Sequence, residues 1–254
     1  MTQIRAGIVI AMLALAAGAG APLPDRIRWQ KDDAELVKVP GGQFRQGSNS
    51  GPDASKPEHK VLVDAFYIDR FEVTNARYFR FCQATRRALP VNLRQGAIPA
   101  GLENHPVNNV TWDDADAYCR FVGRRLPTEA EWEKAARGAD GRTYPWGNGW
   151  DQRLSNNRTN PLESTMPVGS YPRGASPCGA LDLAGNVWEW TADWYRAYPG
   201  GSLAFDETGR RRVARGGAFF YSIDLLKTFV RYPLDPQDAT DHGGFRCAVS
   251  VPAQ

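Results

Sequence analysis

Histidine and cysteine are scarce in this chain of 254 residues, which has three of the first and four of the second. The cysteines stand far apart at positions 82, 119, 178 and 247, and none of these spacings resembles a zinc site. Charge of one sign is equally scarce. The 31 Lys and Arg against 28 Asp and Glu leave a formal net charge of +3, which offers no strongly basic face for nucleic acid. Arg210, Arg211, Arg212 and Arg215 make the densest positive run, read as a solvated turn before a strand. No G-x-S-x-G element marks a nucleophile elbow. There is no internal repeat and no low-complexity tract. The apolar run is confined to the N-terminus and, at about 16 residues, falls short of the roughly 20 that a membrane span needs.

That N-terminal run reads as a secretory signal. Arg5 supplies the positive end, Ala6 to Ala17 the apolar core, and Ala17-Gly18-Ala19 a small-residue cleavage site. Residues 1–19 are therefore expected to be removed, leaving a chain that starts at Gly20 with no membrane span. No cysteine follows the apolar core, so a lipid anchor is not expected. The expected location is periplasmic or secreted, where an even number of cysteines suits disulfides. Four cysteines allow three pairings.

The 25 glycines, 18 prolines and eight tryptophans are spread throughout, which predicts a loop-rich domain with aromatic core volume. Helical periodicity is confined to three stretches. Thr74 caps a predicted helix to about Ala84, burying Tyr78, Phe81 and Cys82. Thr111 and Asp114 resemble a capping box, with Asp where Glu or Gln is usual, ahead of Ala115, Tyr118, Cys119 and Val122, with Gly123 as the stop. Thr128 and Glu131 form a second box, with Trp132 and Ala135 inward and Gly138 at the end. Strand signals are short. Val61, Val63 and Ala65 alternate before Phe66-Tyr67-Ile68, and Phe245, Cys247, Val249 and Val251 are expected on one face of a C-terminal strand. Cys119 and Cys247 thus share core-facing positions and are the first pair to join. Cys82 and Cys178 are left either to form a second bridge or to stay thiols.

The segment HPVNNVTWDDADAYCRFVGRRLPTEAEWEKAARG (105–138) resembles the signature of the formylglycine-generating enzyme family, the sulfatase-modifying factors. VPGGQFRQGS (39–48), FYIDRFEVTNARYFRFC (66–82), YPWGN (144–148), PVGSYP (167–172), LDLAGNVWEWTADWY (181–195), VARGGAFF (213–220) and GFRCA (244–248) are similar in the same order. Together they cover residues 36–252. The resemblance implies a single α+β domain, related to C-type lectin modules and low in regular secondary structure.

It also implies a site. The family's enzyme oxidises a substrate cysteine to formylglycine with oxygen and copper(I), the metal being held by two cysteine thiolates. Counting from Gly217, those positions are Tyr221 and Leu226 here, and a serine of the oxygen pocket is Ala218. Copper is therefore not expected. The pocket that the resemblance implies is lined by Trp188, Ala218, Tyr221, Arg231 and Arg246, with the two arginines also read as pins for the C-terminal loops. Tyr221 either fills the vacated space or hydrogen-bonds a ligand. A structural calcium is implied on the side chains of Asp182 and Glu189 and the carbonyls of Gly185 and Val187. A second calcium would use Asn156, Asn157 and Asn160, without an acidic ligand. The family bridge carries over onto Cys119 and Cys247. His59, His105 and His242 give no sign of the three-histidine iron site of the ergothioneine-synthase branch.

Two functions compete at this point. One is an exported tailoring enzyme acting on a peptide-like substrate, resembling the branch that matures pyoverdine siderophores. The other is a non-catalytic, lectin-like module that binds a peptide or glycan, with Arg210 to Arg212, Tyr195, Tyr198 and Phe205 as its rim. Whether catalysis survives is left open by the sequence, because function is carried by the site and not by the fold.

Overall fold

A computed structural model describes residues 23–93, 96–160, 163–203 and 209–251. The expected signal peptide (1–19) and Phe205 lie outside the described residues. Antiparallel strands β1 (Arg26–Trp29), β2 (Ala34–Val39), β5 (Phe66–Asp69) and β10 (Ala248–Ser250) form one sheet in that order. Val37 stands opposite Ile68, which in turn stands opposite Ala248. A hairpin of β3 (Gly42–Gln46) and β4 (His59–Val63) follows β2. The second four-stranded sheet runs in the order β8 (Tyr232–Leu234), β7 (Arg212–Arg215), β6 (Trp188–Trp194), β9 (Gly243–Gly244). Its β6–β9 pair is parallel. The first and last strands thus belong to one sheet, at its two edges, and the site-bearing loops leave the other.

The helices form where their caps predict. In α1 (Asn75–Thr85) the Thr74 hydroxyl accepts from the Arg77 amide, and Tyr78, Phe81 and Cys82 are buried. Both α2 (Trp112–Phe121) and α3 (Glu129–Arg137) carry complete capping boxes, from Thr111 with Asp114 and from Thr128 with Glu131. Each reciprocal pair satisfies amides that the first turn leaves without intrahelical partners. The surprise is α3, in which Glu129, Glu133, Lys134 and Arg137 are buried alongside Trp132 and Ala135. It packs against β3, β4, β6 and β7, so its charged face meets protein on every side.

The C-terminal strand differs from its expected pattern. Only Ala248–Ser250 pairs as a strand, against β5. Phe245 and Cys247 pack into the cluster around Tyr78 and Tyr118, Ala248 into the one around Trp132, and Val249 and Val251 against Leu36 and Tyr67. With protein on both faces of the segment, burial no longer selects a period of two.

The basic run is also divided. Arg210 is exposed, but the Arg212 guanidinium lies 3.7 Å from the ring centres of both Trp112 and Trp194. Arg215 is fully buried, donating to Glu129 at 3.1 Å and Glu133 at 2.6 Å. Tyr195 and Tyr198 are buried under Arg231 rather than standing on a rim.

Candidate functional site

β7 delivers its chain into a tight turn at Gly216 and Gly217. Both have positive φ, and a Cβ on Gly217 would run into the Leu226 side chain. Glycine is required there by conformation and by space together. The turn is tied to the 182–189 loop by Gly185 N to Gly216 O at 2.8 Å and Phe219 N to Asn186 O at 3.1 Å. Ala218 and Leu226 are fully buried, whereas Tyr221 is partly exposed. Leu226 therefore seals the underside of the turn and Tyr221 occupies its open side.

Trp188, Ala218 and Tyr221 are brought together as expected. Tyr221 meets the Trp188 ring edge-on at 5.6 Å, and Tyr232 stacks on Trp188 at 4.8 Å. Phe220, 38% exposed, stacks on Tyr221 at 4.5 Å and meets the His242 ring edge-on at 5.1 Å. The Asp241 carboxylate lies 2.7 Å from His242 Nδ1. Sequence reasoning missed Tyr232, Phe220 and the Asp241–His242 pair. The polar turn around 241 gave no sign that Trp188 N would donate to the His242 carbonyl at 2.7 Å and draw it in.

The chemistry of this cluster is hydrogen bonding and aromatic contact. The Trp188 indole N–H is buried, with the Tyr221 hydroxyl as its polar neighbour. Burial, then the neighbouring Tyr232, pushes the Tyr221 hydroxyl above its ordinary value, so it stays a neutral donor. Residues 214–246 contain no cysteine. A phenol and an isobutyl group at 221 and 226 do not suit copper(I).

Arg231 and Arg246 lie elsewhere. Arg231 donates to both oxygens of Glu129 at 2.5 and 3.0 Å and to the Ala54 carbonyl. Arg246, fully buried, grips both oxygens of Glu189 at 2.6 and 2.7 Å and reaches the carbonyls of Asp69, Arg70 and Leu181. Both are pins, the second of the two roles the sequence offered.

In the 182–189 loop, Asp182 and Asn186 have left-handed backbones, and a Cβ on Gly185 would strike the Asn156 carbonyl. Asp182 accepts from Gly169 N at 2.6 Å. Burial, opposed by that amide bond, raises its carboxyl above the ordinary aspartate value. Glu189 is occupied by Arg246 and by Trp132 Nε1 at 2.8 Å. Beside Asp182 lies a residue the sequence reading did not name. Glu72 is fully buried, one carboxylate oxygen accepting from Asn186 at 3.0 Å and the other without a partner. An orphaned buried carboxylate oxygen beside a second carboxylate suits a hard divalent cation, so Asp182 fits a calcium ligand. Among the described residues no three His, Cys, Asp or Glu side chains converge as a metal cluster, since Glu189 is turned to its guanidinium. The amides at 156 and 157 are spent on Asn160, Ser164, Ser155 and Thr159, and Asn156 also donates to Asn186 Oδ1 at 3.1 Å.

Cys119 and Cys247 are buried with their sulfurs 2.7 Å apart. Cys82 and Cys178 pack in different clusters. Among the described residues no helix is long and apolar enough to cross a membrane.

Known proteins share this architecture. The model of the sulfatase-modifying factor enzyme 1-like domain matches residues 24–251, a span that takes in β1. The formylglycine-generating enzyme of Streptomyces coelicolor is 35% identical, over 84% of this chain and 88% of its own. A Bos taurus protein named inactive C-alpha-formylglycine-generating enzyme 2 is also 35% identical, over 84% and 87%. Among solved structures, PvdO from Pseudomonas aeruginosa superposes with a TM-score of 0.75 at 25% identity, over 91% of this chain and all of that one. Treponema denticola variable protein 1 gives 0.76 at 22% identity, a likeness of fold. The chain belongs to the sulfatase-modifying factor, or formylglycine-generating enzyme, family.

Proposed function

We propose that this family member is an exported tailoring or maturation factor for a peptide-like substrate, and that it does not generate formylglycine with copper. One observation carries the reading. Where the family resemblance asks for a first thiolate stands Tyr221, packed on Trp188 and Tyr232, its open side facing Phe220 and the Asp241–His242 pair. A peptide offers both apolar side chains for such an aromatic wall and carbonyl oxygens for the partly exposed Tyr221 hydroxyl. The N-terminal signal pattern supports export, and the likeness to PvdO along that protein's full length supports a role in the same class.

Two scaffold features belong to this reading. Calcium is a structural ion in the Asp182 loop, fixing the segment that presents Trp188. Cys119 and Cys247 close a bridge once the protein reaches an oxidising compartment, restraining a loop of well over 100 residues by roughly 4–5 kcal/mol in the chain-entropy model.

The test joins deletion to metal loading. Deleting the gene should change the mass spectrum of exported peptide-like metabolites, while purified protein exposed to copper(I) and calcium should retain no stoichiometric copper. An unchanged metabolite profile, or tight stoichiometric copper, would remove the proposal. A second reading is favoured by the packing itself. Tyr221 fills part of the former metal space, and a relative of equal identity bears the name inactive. On that reading the same face binds a peptide or glycan without turnover. Ligand binding with no altered product in the deletion strain would select it.

A further inference from the structure

A groove of about 570 Å³ runs between α1 and α2, and no residue of the Trp188–Tyr221 cluster lines it. Phe81, Ala117 and Phe121 are its apolar part, with Thr85, Arg87 and Arg120 completing the wall. Arg87 bonds Asp114 at the start of α2, whereas Phe81 meets Phe121 at its end. The two helices therefore run antiparallel along the groove. Its volume lies within the range of about 300–1,000 Å³ usual for small-molecule sites, which favours a small ligand over a macromolecule.

The two ends of the groove differ in charge. At the start of α2, Arg87 donates to Asp114 at 2.6 Å, and Asp113 stands in the same helical turn. That end is neutralised. At the other end, Arg120 gives one terminal nitrogen to Asp116 at 2.9 Å and is otherwise exposed. Beside it the Lys31 ammonium sits 4.5 Å from the centre of the Phe121 ring. Among the described residues Lys31 has no carboxylate partner, because the acids next to it are committed elsewhere. Asp32 is turned inward to Arg77 and Arg124, and Asp33 is gripped by Arg28. Arg80, also exposed, lies near enough for its charge to act on Asp33. A ring face attracts the lysine but supplies no counter-charge. The apolar floor thus ends at an uncompensated positive edge.

We infer that the α1–α2 groove binds a small amphiphilic acid, an apolar body with a single anionic oxygen head. The head lies between Lys31 and Arg120, whose unused N–H groups make charge-assisted hydrogen bonds to it. The body lies along Phe121, Phe81 and Ala117, where its removal from water supplies the rest of the affinity. Charge also fixes the direction of the ligand, since Asp113 and Asp114 repel an anionic head at the opposite end. Lys31 and Arg120 set the sign of the ligand, and the two phenylalanines set its apolar character. The site is independent of the Trp188 face and stands whether or not that face takes a peptide.

The test uses the full mature chain, with decanoate below its micelle concentration as probe and decyltrimethylammonium as the charge-reversed counterpart. Binding is read by calorimetry and by backbone amide NMR shifts, and the fold of each variant by its melting temperature. Decanoate should bind saturably, about tenfold or more tighter than the cation, with shifts centred on Phe81, Ala117 and Phe121. Lys31→Gln and Arg120→Gln, both at the surface, should each weaken decanoate by about two- to fivefold and together by about tenfold. Arg87→Gln, at the neutralised end, should change affinity by less than about twofold. Ala117→Phe fills the groove without touching a charge and should abolish saturable binding. Equal affinity for the two probes overturns the inference, as does the absence of saturable decanoate binding. So does decanoate binding that survives both the Lys31–Arg120 double variant and Ala117→Phe, which would place the ligand elsewhere. Sedimentation with phosphatidylglycerol vesicles but no binding of free decanoate would make a membrane surface the occupant and overturn the small acid.

Discussion

Two buried ionic clusters, separated by only a few residues of chain, illustrate opposite solutions to the same problem. In the first, Asp32 and Asp69 face Arg77 and Arg124, two charges of each sign. Arg124 contacts both aspartates, Arg77 reaches Asp32 at 2.5 Å, and the Tyr118 hydroxyl donates to Asp32 at 2.6 Å. Asp32 Oδ1 has no hydrogen-bond partner either, but the charge around it is matched. In the second cluster Glu72, Asp182 and Glu189 have only Arg246. The matched cluster is a staple joining the first sheet to α1 and α2. The unmatched one sits at the root of the loop that presents Trp188. A buried ionic group explains itself when its charges cancel; when they do not, a shared proton or a bound cation has to make up the difference.

The largest effect expected from breaking this contrast comes from Arg246→Met. It leaves three buried carboxylates with no cation, and it should cost about 5 kcal/mol or abolish folding, measured by urea denaturation. Excess calcium should restore part of that loss. Next is Asp32→Asn, expected to cost about 3 kcal/mol because it leaves two buried guanidinium groups to share the single carboxylate of Asp69. Burial opposes ionisation of Asp32, yet Arg124, Arg77 and the Tyr118 hydroxyl outweigh it and hold the carboxyl below its ordinary value. A depressed folded value means that the stabilisation is complete above the unfolded aspartate value and is lost as pH falls through the folded one. The variant should therefore flatten the dependence of stability on pH in the acid range below about 4, which a series of denaturation curves would reveal.

Leu226→Ala tests whether this position is now plain core. The side chain is fully buried under Gly217, and truncation should cost about 2–4 kcal/mol without changing ligand or metal binding. Removing the α3 capping hydroxyl in Thr128→Ala should cost about 1 kcal/mol. The smallest effect concerns reactivity. Burial pushes the Cys82 thiol up to about 11, so it should resist iodoacetamide at neutral pH in the folded protein and label fully in urea.

Much of the frame was legible beforehand. Helix starts could be read because a capping box is a local code, in which Thr128 and Glu131 satisfy each other's amides whatever lies around them. Motif order fixed the family in the same local way, and Trp188, Ala218 and Tyr221 did come together. Patterns that depend on distant partners were harder to read. Glu72 looks like one more acidic residue before α1 until the 182–189 loop folds over it. Arg231 and Arg246 carried a pocket role by resemblance, and their partners Glu129 and Glu189 turned both into pins. His242 lay in a polar turn with nothing to mark it until the Trp188 amide bonded its carbonyl.

The sequence by itself determined the helix boundaries, the family, and the absence of cysteine where the resemblance asks for two thiolates. These are matters of composition, local hydrogen bonding and residue identity. Tertiary structure alone decided which charges would be buried together and which would lack a counter-ion. Electrostatic energy in an interior depends on distance and on exclusion of water, and neither is encoded in the spacing of residues along the chain.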